Sequence, residues 1–131
     1  MNVLQGTIQT LHTQGNLTLV KVAVADLVFT SIIIETSETV DYLKTGHAVQ
    51  VMFKETEVII CKEQVEISMQ NRIPVEITDI EKGKLLSRLS LKFHDYSLCS
   101  IITTNAVLQL GLQAGHRVIA MVKTNEIMLA K

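Results

Sequence analysis

The chain repeats itself. Thr45 to Lys62 reads TGHAVQVMFKETEVIICK and Ala114 to Lys131 reads AGHRVIAMVKTNEIMLAK, the second displaced from the first by 69 residues. The displacement holds without a gap toward the N-terminus. Asn2 falls on Asn71, Ile8 on Ile77, Asp26 on Asp95, Ser31 on Ser100, Leu43 on Leu112, His47 on His116 and Lys54 on Lys123. A period this long, seen twice only, indicates a duplicated small domain, because a solenoid needs three or more units to bury a continuous core. The expected domains are residues 1–62 and 70–131, with 63–69 as the linker.

A unit of about 60 residues lies near the lower limit for independent folding, since it buries too little apolar surface to offset chain entropy. Each half is therefore expected to need its neighbour or a second chain, and a homo-oligomer, a dimer or trimer of chains, is expected. The composition is 47% hydrophobic but only 4% aromatic, with no Trp and one Pro, so the core must be built from Val, Ile and Leu. That choice favours strands.

Net charge is −1 with both signs interspersed, which argues against a nucleic-acid track and against a polybasic membrane patch. No apolar run reaches the roughly 18 to 20 residues of a membrane span, and no basic leader precedes residue 3. A soluble, cytoplasmic protein is expected. Cys61 and Cys99 have no CxxC partner and do not correspond under the repeat. They read as buried small hydrophobes and not as a disulfide.

Alternation in LLSRLSLKF sets Leu85, Leu89, Leu91 and Phe93 on one face and Arg88, Ser90 and Lys92 on the other, a half-buried strand over 85–93. LTLVKVAV at 17–24 takes the same place in the first repeat, with apolar residues on both faces. Further strands fit 3–11, 27–34, 47–54 and 56–61, and their copies 72–80, 96–103, 116–123 and 125–130. Between the third and fourth strands of each unit, ETSETVDYLKTG and TTNAVLQLGLQAG predict one short helix, opened by Ser, Thr or Asn, with Gly46 or Gly115 closing the turn after it. The expected fold is all-β with one short helix per unit: tandem duplicated OB-like five-stranded β-barrels.

His47 and His116 follow glycines in turns and have no second ligand at metal spacing. No GxSxG, HExxH or phosphate-loop pattern occurs, and the pairs Glu55/Glu57 and Asp79/Glu81 read as solvated strand faces. An enzyme, a catalytic residue and a metal centre are thus not expected. Lys54 and Lys123 each end an apolar strand and precede a polar trio, ETE or TNE. A cation beside hydroxyl and backbone donors is half of an oxyanion site, which needs several N–H and O–H groups converging on the anion.

These segments resemble the Mop, or molbindin-type, domain of the wider TOBE group of OB folds, in its tandem di-Mop arrangement. SMQN at 68–71 resembles the family's SxRN. SIITTNAVLQLGLQAGHRV at 100–118 resembles AIITxxSxxxLGLxxGxxV, and VKTNEIML at 122–129 resembles IKAxxVML. The resemblance covers nearly the whole chain. It implies binding of molybdate or tungstate where domains meet, held by main-chain N–H groups, hydroxyls and a lysine.

Carried over by position, Ser68 and Asn71 match SxRN, Thr103 the threonine after the Ile-Ile pair, and Lys123 the lysine of the last motif; Thr124 and Asn125 would supply nearby donors. Gln70 stands where the family has Arg, and Ala106 where it often has Ser. In the first repeat Met1 falls on the Arg position and Ile34 replaces the threonine, while Ser37 and Lys54 are in place. The resemblance therefore implies a weakened anion site, unequal sites or a changed anion. The alternative is a regulatory or oligomerisation module with an eroded site. An OB-type nucleic-acid binder is disfavoured by the lack of interleaved aromatics.

Overall fold

The computed structural model describes residues 1–131. Ten strands form: β1 (Asn2–Gln14), β2 (Leu17–Val24), β3 (Leu27–Ile33), β4 (Ala48–Phe53), β5 (Ile59–Cys61), β6 (Asn71–Lys82), β7 (Leu86–Phe93), β8 (Tyr96–Thr103), β9 (Arg117–Val122) and β10 (Met128–Ala130). One helix, α1, spans Thr104–Leu110. The expected fifth strands begin instead with short 3₁₀ turns, Glu55–Glu57 and Thr124–Glu126, which leaves only three residues to each of β5 and β10.

The strands form two five-stranded antiparallel sheets, ordered β10-β4-β1-β2-β3 and β5-β9-β6-β7-β8. Each sheet thus takes four strands from one repeat and its edge strand from the other. Met128 pairs with Met52 and Leu129 with Val51 in the first sheet, while Ile59 pairs with Met121 and Ile60 with Ala120 in the second. The long first strand of each repeat serves two neighbours: β1 pairs with β4 over Asn2–Thr7 and with β2 from Thr7 onward. A bulge between Ile8 and Thr10, matched between Ile77 and Asp79, bends each strand where it changes partner. The sheets curl into tandem OB-like barrels around one continuous apolar cluster that includes Leu4, Val20, Phe29 and Phe53 from the first repeat and Ile73, Leu89, Phe93 and Val122 from the second.

The repeats are fastened by matched polar bonds. The Asn2 side chain donates to Cys99 O (2.9 Å) and accepts from Cys99 N (2.7 Å); Asn71 does the same to Thr30 O (2.8 Å) and Thr30 N (2.7 Å). All four residues are buried. The carboxamide supplies the donor and acceptor that a neighbouring strand would supply, so the buried N–H and C=O of Cys99 and Thr30 are paired. One step along, Ser31 Oγ donates to Ile127 O and Ser100 Oγ to Val58 O, each at 2.9 Å.

Only the second repeat forms the expected helix. There Thr103 caps the N-terminus, its Oγ1 accepting from Ala106 N at 3.0 Å, and Gly111 ends the helix at φ 62°. Gly111 thus ends the helix itself, and Gly115, at φ 94°, lies in the turn after it that leads into β9. In the first repeat the same two positions hold Ile34, which cannot accept a bond, and Tyr42, which is penalised in the left-handed region. Thr39 Oγ1 also accepts from Thr36 N (2.9 Å) and donates to Thr36 O (3.0 Å), side-chain bonding that competes with a helix. Residues 35–46 consequently run as turns. The expected inner face of β7 holds for Leu89, Leu91 and Phe93, but Leu85 lies outside the strand and is 82% exposed, so that Ser87 is the first inner residue.

Replacing Asn71 by Ala should destabilise the chain by about 1–3 kcal/mol, because it leaves Thr30 N–H and C=O buried without partners. Urea unfolding checks this, and an unchanged midpoint would contradict it. Both cysteines are free; Cys99 is buried beside Asn2, and burial pushes its thiol above the ordinary range. A thiol reagent near pH 8 should modify half-buried Cys61 at least about tenfold faster than Cys99. Peptide mapping of the labelled chain distinguishes the two.

Candidate functional site

Lys54 and Lys123 occupy the same backbone setting. Each leaves a strand in extended conformation (φ −74°, ψ 148° and φ −66°, ψ 151°) and caps a 3₁₀ turn, its carbonyl accepting from Glu57 N at 3.1 Å and Glu126 N at 3.0 Å. Both lysines are exposed. The Thr124–Glu126 turn packs on β3 and the Glu55–Glu57 turn on β8, so each turn lies against the other repeat. The exchange of β5 and β10 causes this crossing.

Six of the expected site residues lie at or next to one end of the second sheet. Asn71 pairs with Val122, so the next residues outward on the two strands are Gln70 and Lys123. Ser68 precedes them on the linker, and Thr124 and Asn125 follow on the turn. Ser68, Gln70 and Asn125 are exposed and Thr124 is half-buried. Asn71 sits at the same end, but both its side-chain polar atoms are engaged by Thr30. It shapes the place without facing a ligand.

Thr103 and Ser37 lie apart from this group. Thr103 ends β8, the strand packed on the Lys54 turn, and its hydroxyl caps α1 while its proton stays free to be donated. Ser37 is exposed in the turns that follow β3, the strand packed on the Lys123 turn. Side by side, then, are the Lys123 turn with the first repeat's third strand, and the Lys54 turn with the second repeat's.

The two lysine turns differ in charge. The residue after Lys54 is Glu55, whose carboxylate pairs with the N-terminal amine and is held below the ordinary range first by that hydrogen bond. The residue after Lys123 is Thr124, a neutral donor. Glu55 borders an open cleft of about 350 Å³ that also contains Thr78, Arg88, Ser90 and Lys92. The alternation in β7 marks Arg88, Ser90 and Lys92 as one face; that a turn of the other repeat stands over them follows from the strand exchange, which no local pattern reveals. Beside the Lys123 turn the surface is apolar: Ile32, Ile34, Met52 and Met128 line a cleft of about 490 Å³ with Asn125 at its margin.

Across the repeats Asp26 and His94 meet at 2.7 Å, and this hydrogen bond is the chief cause of the lowered Asp26 pKa. His47 and His116 stay in turns leading to the fourth strands. No three His, Cys, Asp or Glu side chains are grouped to hold a metal ion. No helix is long and apolar enough to cross a membrane.

Residues 67–129 match the model of the TOBE domain. No curated protein sequence matches the chain. Among solved structures, the cytoplasmic molybdate-binding protein ModG, in a form with molybdate bound, is similar with a TM-score of 0.91 and 22% identity, over 98% of this chain and 94% of that one. A molybdate-binding protein from Sporomusa ovata is similar with a TM-score of 0.50 and 28% identity, over 51% of this chain and all of its own. The second repeat therefore matches the TOBE domain, and the chain has the fold of ModG over nearly its whole length.

Proposed function

We propose that this chain is a cytoplasmic oxyanion-binding protein that takes up molybdate or tungstate for storage, homeostasis or sensing, with its two repeats, 1–62 and 70–131, as its domains. The observation that supports the reading is that Ser68, Gln70, Lys123, Thr124 and Asn125 flank one strand end of the second sheet, where the Lys123 turn packs on the first repeat's β3. One cation among neutral N–H and O–H donors suits a dianion that must be held without metal ligands. The molybdate bound to ModG, and the molybdate-binding relative from Sporomusa ovata, support the choice of anion. Binding, and not catalysis, is the role proposed.

Lys54 is the weaker partner, because the acidic Glu55 follows it directly whereas the neutral Thr124 follows Lys123; the acidic third residue, Glu57 or Glu126, is common to both turns. Calorimetric titration with molybdate, tungstate and sulfate tests the proposal, with both tetrahedral metal oxyanions expected to bind. Lys123→Ala should lose about 1.5–3 kcal/mol of binding, which is about ten- to a hundredfold in affinity. Lys54→Ala should lose less. Parent-like binding by the Lys123 variant would remove the site from this turn.

We also propose that the chain works as a homo-oligomer, a dimer or trimer. Val3, Met52 and Met128 lie side by side across the first sheet, with exposed Ile32 and Ile34 nearby, an apolar surface that a second copy would cover. Light scattering at micromolar concentration should give a mass above that of the 14.6 kDa chain. The same surface favours one alternative: Ile34, 73% exposed where the second repeat has Thr103, fits an interaction or regulatory module whose anion site has eroded. Flat titrations with all three anions would select it.

A further inference from the structure

The linker between the repeats is a strap over the second sheet. β5 and β6 flank β9 and both run antiparallel to it, so the chain from Lys62 to Gln70 must cross from one side of β9 to the other. The strap has no strand or helix of its own. Past the bond from Cys61 Sγ to Glu63 O at its start, it is held by one side chain. Arg72, the second residue of β6, donates from Nε to Met69 O (2.9 Å), from Nη1 to Val65 O (2.8 Å) and Gln64 Oε1 (3.4 Å), and from Nη2 to Ile67 O (2.7 Å). Three alternate carbonyls turn in toward one guanidinium, whose planar fork of donors can serve them together.

The other repeat shows what the clamp changes. Val3 stands where the second repeat has Arg72, and it is 39% exposed on a face that no strap crosses. Its neighbour Met52 is half-buried, whereas the corresponding Met121 is only 2% exposed. Ser68 lies between the clamped carbonyls of Ile67 and Met69, and Gln70 follows Met69 directly. The same two residues stand at the strand end that carries Lys123.

We propose that Arg72 is the positioning residue of the oxyanion site, fixing the strap so that Ser68 and Gln70 are already ordered beside Lys123 when the anion arrives. This rests on the function proposed above. Arg72 does not itself face the anion, since its donors are turned to the strap carbonyls. Its part is to remove the ordering penalty that a free strap would impose on binding.

The test uses the full chain with Arg72→Ala and Arg72→Lys, titrated with sodium molybdate, and amide hydrogen exchange of residues 62–70 measured without anion. Lysine keeps the positive charge but lacks the fork. Both variants should therefore lose about tenfold or more in affinity, the gain from ordering two or so polar side chains in advance. Exchange across the strap should quicken while the amides of Ile73, Val75 and Ile77 stay as slow as before. If Arg72→Lys binds as the unsubstituted chain does, the residue acts by charge and the proposal falls. It falls too if either variant leaves strap exchange unaltered. A flat titration of the unsubstituted chain would overturn the oxyanion function itself, and is recognised because it needs no variant to be seen.

Discussion

A strand of three residues cannot hold itself in place. Ile59–Cys61 and Met128–Ala130 each form an edge with a partner from the other repeat, and so few ladder bonds are worth little against the entropy of ordering the chain. What makes the exchange secure is the pair of buried carboxamides, Asn2 on Cys99 and Asn71 on Thr30, with the hydroxyls of Ser31 and Ser100 one step away. These bonds lie between repeats, not within them. Core, crossing turns and strap all depend on this seam, because the apolar cluster closes only when each barrel has received its fifth strand.

The sequence made much of this legible. The 69-residue displacement announces the duplication, and period-two alternation locates the inner face of β7 from Leu89 onward. It did not show which barrel owns the last strand of each repeat, since pairing within a repeat and exchange between repeats satisfy the same hydrophobic pattern. The role of Asn71 was hidden for the same reason: it stands in a motif shared with anion binders, yet its carboxamide is spent on a strand far away in the sequence. The missing first helix, by contrast, could have been read. Ile34 and Tyr42 occupy the two positions where Thr103 and Gly111 cap the second one, and a repeat invites that comparison position by position.

The candidate site combines these two cases. Its lysine, hydroxyl and amide groups are visible in a motif, but their neighbours are set by the crossing of the turns, which sets β8 against the Lys54 turn and β3 against the Lys123 turn. Charge then separates two settings with the same backbone: Glu55 follows one lysine and Thr124 the other. Equal geometry with unequal chemistry is what a duplicated scaffold permits when its fold is carried by buried residues and its ligands by exposed ones.

The exchange of strands also bears on how such a chain could arise. A single repeat, like the relative that spans half of this chain with its whole length, could complete its barrel in this way only by trading strands with a second molecule, at a concentration the cell must supply. Joining two copies through a short strap replaces that encounter by a tethered one, at an effective concentration in the millimolar range for short linkers. Covalent joining also ends the requirement that both halves be identical. Once partners are always the same two, one half can carry Ile34 and Tyr42 where the other keeps its helix caps, Thr103 and Gly111, and neither change is imposed on both sides of the seam.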